Sequence, residues 1–216
     1  MTYTGKVTTG GPADVRELGA LTIAKLSVGP MDNNAYLLHC TETGEQVLVD
    51  AANEAPRLIE LIGAAGLTTV VPTHQHGDHW QGLMEVLKAT GARSLAHAAD
   101  ADGIPDVDET VADGDTVRVG TCSLDVIHIV GHTPGSICLL YNDPNGTPHL
   151  FTGDSLFPGG PGRTTNPTDF NSVMNDLEEK VFGRLPDDTW FYPGHGNDST
   201  LGKERGSIPE WRARGW

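Results

Sequence analysis

The sequence predicts an α/β protein, and three observations carry that prediction. Strand-like and helix-like apolar segments alternate along the 216 residues, the pattern of a domain whose helices cover sheet faces. The turn Asp143-Pro144-Asn145-Gly146 separates two apolar runs and reads as a hairpin. Four times, a strand-like run ends in a His or Asp next to glycine, which is how a rigid scaffold displays loop side chains. The 27 glycines and 14 prolines fit a turn-rich fold. The length fits a single domain, 1–216, with a full core.

The elements follow in order. Strands are expected near 21–28, 34–40 and 46–50. A helix begins near Asn53 with Pro56 in its opening turn, where a missing N–H costs nothing. Leu58, Leu61, Ile62 and Ala65 form its apolar stripe, and Gly66 stops it. A buried strand at 69–72 ends at Pro72. Helix 80–89 follows, with Leu83, Val86 and Leu87 on one face. Strands near 94–97, 116–120 and 123–130 precede the hairpin 136–141 and 148–153. A last long helix spans 169–182, buries Phe170, Val173, Leu177 and Val181, and ends at Gly183. Trp190-Phe191-Tyr192 is a short strand, and Thr200 to Arg205 a short terminal helix.

Chemistry concentrates after the strand ends. Residues 73–79 read Thr-His-Gln-His-Gly-Asp-His, so His74, His76, Asp78 and His79 fall in one turn. Imidazole with carboxylate suits zinc, iron or manganese. A merely solvated turn is the alternative, but three later segments share the same grammar. Gly131-His132-Thr133-Pro134-Gly135-Ser136 displays His132. Thr152-Gly153-Asp154-Ser155 ends a strand at Asp154, beside a glycine that permits close backbone approach. Pro193-Gly194-His195-Gly196 frames His195.

With these motifs in this order, the chain resembles the metallo-β-lactamase superfamily. Within it, HTPGS, TGDSLFPGGPGR and PGHGNDSTLGKERGSIPEW resemble the glyoxalase II (hydroxyacylglutathione hydrolase) branch, particularly its short bacterial forms. The resemblance implies a four-layer αββα sandwich with metals at one edge of two sheets. It implies two divalent metal ions, zinc first, with iron or manganese as alternatives. His74, His76 and His132 would hold one and Asp78, His79 and His195 the other, with Asp154 bridging. Asp78 and Asp154 are thereby the candidate catalytic carboxylates. The implied reaction is hydrolysis of a small thioester by a water acidified between the metals. A thiolate leaves without help from a strong acid, and esters or lactones could be opened the same way. Persulfide dioxygenases of the same fold are the other implied class, with a single iron at the His74, His132 and Asp154 positions. In glutathione-using relatives, a basic residue and a tyrosine follow the bridging ligand. Arg163 falls at the basic position and Thr165 where the tyrosine would be, so Arg163, Thr164 and Thr165 are the substrate-facing candidates.

Composition narrows the partners to a small molecule. A net charge of −15 with no basic patch disfavours nucleic acid and anionic membranes. No apolar run reaches membrane-spanning length and the first dozen residues lack a signal core, so no membrane contact and a cytoplasmic location are expected. Cys40, Cys122 and Cys138 lack metal spacing and read as buried free thiols. His39, His97, His128 and His149 read as structural or surface residues, with His97 the nearest to the expected site edge. Trp80 reads as core packing or a pocket wall, and Trp211 and Trp216 as an oligomer contact or a docked terminus. The sequence leaves the oligomeric state open.

Overall fold

Runs too apolar to face water on either side become the central strands of two sheets. The computed structural model describes residues 2–215; Trp216 lies outside them. The first sheet has seven strands in chain order: β1 (Asp14–Glu17), β2 (Leu21–Val28), β3 (Asn33–Cys40), β4 (Gln46–Val49), β5 (Thr69–Val71), β6 (Arg93–His97) and β7 (Glu109–Val111). Its first half is antiparallel, with β2 and β3 in register from Leu21 opposite Cys40 to Val28 opposite Asn33. From β4 onward the pairing is parallel. Parallel neighbours need a crossover, and helices α1 (Ala55–Ile62) and α2 (Leu83–Thr90) supply the first two.

The second sheet contains β8 (Thr116–Val119), β9 (Cys122–His128), β10 (Ile137–Asn142) and β11 (Pro148–Gly153). The short ribbon β12 (Leu156–Phe157) and β13 (Gly160–Pro161) leaves it. Helix α3 (Pro167–Asp176) then widens into a π-helical turn, Leu177–Phe182, and leads back to β14 (Trp190–Pro193) and β15 (Ser199–Thr200). The strand order is β15-β14-β11-β10-β9-β8. Two short helices follow, α4 (Leu201–Arg205) and α5 (Ile208–Arg214).

Three apolar clusters fill the spaces between layers, which makes the expected αββα sandwich. One lies between the sheets and includes Leu38, Val49, Leu124 and Leu139; a second lies under α1 and α2; the third lies under α3 and α5. In the central cluster Tyr36, Phe151 and Tyr192 meet with ring centroids 4.8–5.7 Å apart. Each fully buried side chain of this size contributes about 1.5–3 kcal/mol.

Several boundaries differ from expectation, each for a local reason. The α-helix α1 ends at Gly63 with φ +62, and residues 63–65 form a tighter turn that leaves Ala65 exposed. Helix α2 starts at Leu83, not 80, because residues 77–79 make a separate 3-10 turn. Helix α3 starts two residues early: Asn166 caps it, its side-chain oxygen accepting from the Asp169 N–H, and Pro167 fills the first turn. Strands β1 and β7 were not expected. Both are short, exposed in part and polar enough to read as loop. Trp211 is buried, so the tail is docked on this molecule.

Candidate metal centre

The parallel strands β4 and β5 end side by side, and the turn after β5 carries four of the expected ligands. Across the inter-sheet edge, the loop after β9, the end of β11 and the end of β14 bring His132, Asp154 and His195. Two separate backbones thus present their strand ends to one point. Gly153 (φ +47) makes this possible, since a Cβ there would lie 2.5 Å from the Thr73 hydroxyl. A Cβ at Gly194 would lie 2.2 Å from Asp154 Oδ1 and 2.6 Å from His79. Both glycines are spatial requirements of the site.

All seven side chains converge. His74, His76 and His132 form one group; Asp78, His79 and His195 form another; His74, His79 and Asp154 connect them. His76 Nδ1 lies 2.9 Å from His132 Nε2. His79 Nε2 and His195 Nε2 lie 3.4 and 3.3 Å from Asp78 Oδ2. Asp154 stands between the groups, with Oδ1 3.3 Å from His79 and Oδ2 3.6 Å from His132 and 3.5 Å from His195.

The outer ring nitrogens explain why the inner ones are available. His79 Nδ1 donates to Asp50 Oδ2 (2.9 Å), His132 Nδ1 to the Arg163 carbonyl (2.7 Å) and His195 Nδ1 to the Met31 carbonyl (2.9 Å). His74 Nδ1 meets the Thr73 hydroxyl at 3.0 Å, which itself donates to Asp50. A proton held on Nδ1 leaves the Nε2 lone pair facing inward, the tautomer a metal requires. His74 Nε2, His79 Nε2 and Asp154 Oδ1 are buried with no hydrogen-bond partner. Polar atoms are rarely left so at a cost of about 1–3 kcal/mol each, and a divalent cation satisfies all three. The donor set of imidazoles and carboxylates therefore fits a pair of borderline metal ions.

Charge is distributed unevenly over these groups. Burial, then the neighbouring His79, pushes the His74 imidazole well below its usual range. Burial also works against protonation of His79, but Asp50 and Asp154 override it and raise that imidazole well above. Burial would raise the Asp154 carboxyl; the adjacent imidazoles of His195 and His79 hold it well below the carboxylate range instead. The Asp154 carboxylate is thus an anion throughout the physiological range.

Four supporting residues escaped the sequence reading. Asp50 holds His79, the Thr73 N–H and the Thr73 hydroxyl. It follows β4 directly, so the rule of an acid after a strand end would have found it. Asn33 donates to Asp78 Oδ2 at 2.8 Å. Asp100, almost fully buried, accepts from the Gln75 and Gly135 N–H groups and from the Thr133 hydroxyl. Lys25, fully buried, pairs with Asp198 at 2.6 Å and donates to the Gly196 carbonyl beside His195. Nothing in their sequence context separates the last three from other polar residues.

The remaining candidates fall at or beyond the rim. A cleft of about 400 Å³ opens beside His132 and Asp154, walled by Phe157, residues 158–162, Arg163 and Arg214. Arg163 is exposed on this wall, whereas Thr164 is buried and Thr165 bonds toward Asp169 at the start of α3; neither threonine lines the cleft. His97 does not reach the site; it stacks on His128, centroids 3.7 Å apart. Trp80 is half-buried and donates to the Gln75 carbonyl, bracing the ligand turn.

The model of the metallo-beta-lactamase superfamily matches residues 28–195, which contain every converging side chain. The chain belongs to this superfamily. It is 39% identical over 165 residues to a hydroxyacylglutathione hydrolase of Polaromonas sp., an alignment covering 76% of this chain and 62% of that relative. A hydroxyacylglutathione hydrolase of Nitrosococcus oceani is 36% identical with the same coverage. These likenesses support the glyoxalase II-like branch, although the chain spans only about 62% of the length of these relatives. Among solved structures, ETHE1 from Myxococcus xanthus superposes with a TM-score of 0.75 at 28% identity, covering 87% of this chain and 83% of that one. TTHA1623 in a di-iron-bound form superposes with a TM-score of 0.68 at 28% identity, covering 84% and 96%. Among the described residues no helix is long and apolar enough to cross a membrane.

Proposed function

We propose that this chain is a dinuclear metal hydrolase of small thioesters, with His74, His76 and His132 holding one ion, Asp78, His79 and His195 the other, and Asp154 both. The observation that carries this reading is Asp154 standing between two groups of ligating side chains, with its own Oδ1 and the Nε2 atoms of His74 and His79 buried and unpartnered. The similarity to hydroxyacylglutathione hydrolases supports the substrate class. Zinc is the expected ion, with iron supported by the likeness to a di-iron protein.

When bound, the ions supply Lewis acidity toward the acyl oxygen and a water acidified toward neutrality. The protein supplies rigidity. Asp50, the Arg163 carbonyl and the Met31 carbonyl fix three imidazole planes, so little reorganisation accompanies the reaction. Asp78 and Asp154 offset the charge of the cations and orient the attacking water. Phe157 and residues 158–162 wall the acyl group on one side. The acidified water gives one proton to solvent and adds to the acyl carbon as hydroxide, the C–S bond breaks with its electron pair on the departing thiolate, and the new carboxyl gives its proton to solvent. That leaving group is stable as an anion, so no side chain has to protonate it in the step.

The test is metal content of protein purified without added metal, followed by thioester hydrolysis. Two ions per chain and turnover of a lactoyl thioester are expected. Asp154→Asn should lose at least one ion and about a hundredfold or more in kcat. A second reading, an oxygenase with one iron on His74, His132 and Asp154, draws on the likeness to ETHE1. A single iron per chain with oxygen uptake on a persulfide would replace the first reading with it.

A further inference from the structure

Two thiols from different sheets meet inside the sandwich. Cys40 ends β3 in the first sheet, and Cys122 opens β9 in the second. Both are free, buried, and part of the cluster between the sheets. Strands β3 and β8 approach within 8 Å between Cα atoms, and the β8–β9 turn, Gly120-Thr121, closes over the end of β3. Cys40 Sγ lies 3.4 Å from Thr121 Oγ1. Cys122 Sγ lies 3.5 Å from the carbonyl of Ala20, the residue before the Leu21 that pairs with Cys40. The two sulfurs thereby come within direct interaction of each other.

The surroundings hold this pair together. Gly120 has φ +59, and a Cβ there would sit 2.9 Å from Cys40 Sγ, so the close approach requires glycine. The Thr121 hydroxyl donates to Glu42 at 2.8 Å, which ties the β8–β9 turn to the β3–β4 turn. Burial would raise the Cys40 thiol, but hydrogen bonding by Thr121 and Thr43, backbone N–H groups included, lowers it to about 6. Burial pushes the Cys122 thiol up. A thiolate thus stands beside a thiol, the pairing from which a disulfide forms. Cys122 also reaches a surface cleft of about 240 Å³, walled in part by Ala20, Thr121 and Tyr141. That cleft admits a small oxidant. Cys138 provides the contrast: it lies in the cluster under α3, and burial pushes its thiol up to about 12.

We propose that Cys40 and Cys122 form a redox site, a dithiol that hydrogen peroxide converts into a reversible disulfide stapling the two sheets. The Cys40 thiolate attacks one peroxide oxygen, the O–O bond breaks, and the hydroxide that leaves takes a proton from solvent to become water. Cys40 is then a sulfenic acid. The Cys122 sulfur attacks the Cys40 sulfur, the S–O bond breaks, and the departing hydroxide takes the Cys122 proton as a second water. The two sulfurs are oxidised by two electrons and the peroxide is reduced by two. The staple lies at the edge of the sandwich opposite the metal centre. Asn33, which donates to Asp78, begins the strand that Cys40 ends, a separation of about 23 Å at the rise of an extended chain. The bond closes a loop of about 80 residues, and a loop of that length gives a rise of about 10 °C in Tm.

The test treats the whole zinc-loaded protein with a small excess of hydrogen peroxide, blocks the remaining thiols under denaturing conditions and maps the peptides without reduction. Free thiols should fall from three to one, with Cys40 linked to Cys122 in the same chain and Cys138 left as the thiol. The oxidised protein should melt about 10 °C higher, and dithiothreitol should reverse both changes. Cys40→Ala and Cys122→Ala should each abolish the shift, and Cys138→Ala should keep it. The wild-type map decides the inference even where an alanine variant folds poorly. Three free thiols after treatment, a link through Cys138, a link between two copies, or sulfinic acid without any link would each overturn it. A Cys40–Cys122 link that leaves Tm unchanged or lowers it would overturn the stapling role.

Discussion

Asp100 shows how much of a metal site can rest on a residue that never faces the metal. Its two oxygens take the Gln75 N–H at 2.9 Å, the Thr133 hydroxyl and the Gly135 N–H at 2.7 Å. It therefore clamps the turn bearing His74 and His76 to the turn bearing His132. Asp100→Ala would strand three donors in a buried place, where each unsatisfied group costs about 1–3 kcal/mol. The expected result is a loss of about 3 kcal/mol in stability and a drop of about 10–100-fold in metal affinity. Denaturant unfolding and competition with a chromogenic chelator measure the two. Unchanged metal affinity would show that the turns hold their positions without the clamp. Gly194→Ala is the complementary case: it adds a methyl where Asp154 and His79 already stand, and metal stoichiometry should fall. The seven converging side chains were legible in sequence because they cluster just after strand ends, most of them beside glycine. Asp100 and Lys25 were not, because their work is done across long sequence gaps.

At the level of elements, the central strands and all three crossover helices were legible because their apolar periodicity is strong. The edge strands β1 and β7 were not, since partial exposure lets polar residues dilute the alternation. The end of α1 was misplaced by three residues because two glycines, Gly63 and Gly66, compete to stop it, and the first wins. The terminal helix α5 is the element whose role sequence reading left open. Its anchor predicts a local response. Trp211→Ala removes a buried aromatic at a cost of about 3–5 kcal/mol. Helix α5 carries few other buried groups, so it should undock before the sheets separate. Hydrogen exchange is expected to rise in 208–214 with little change in β9 to β11. Uniform deprotection across the chain would mean that α5 belongs to the same cooperative unit as the core.

The whole molecule should register both acid and chelation. His149 is buried against the Tyr192 hydroxyl, and burial, then the charge of Arg16, pushes its imidazole down to about 4. An unfolded histidine titrates near 6.5. The folded value is the lower one, so this contribution is complete above about pH 6.5 and is lost as pH falls toward about 4. It amounts to about 3 kcal/mol at most. His149→Gln should flatten stability against pH across that window, whatever its effect at neutral pH; an unchanged slope would assign the acid limb to other groups. Metal removal acts on the same balance. At free metal a thousand times its Kd, binding adds about 4 kcal/mol, or about 10 °C in Tm for a chain of this size. A chelator should remove that increment, and differential scanning with and without it is the check.

The ligand set is divided between the two sheets: His74, His76, Asp78 and His79 come from the first, and His132, Asp154 and His195 from the second. During synthesis, the first four leave the ribosome long before their partners exist. A half-made chain offers a cation an open, water-exposed turn and no bridging carboxylate. Capture at full strength waits until β14 has been made and has paired with β11, because only then does His195 arrive opposite Asp154. On the dinuclear reading, cofactor acquisition would be timed to the close of folding, and a bound pair of ions would certify that both halves of the chain have met.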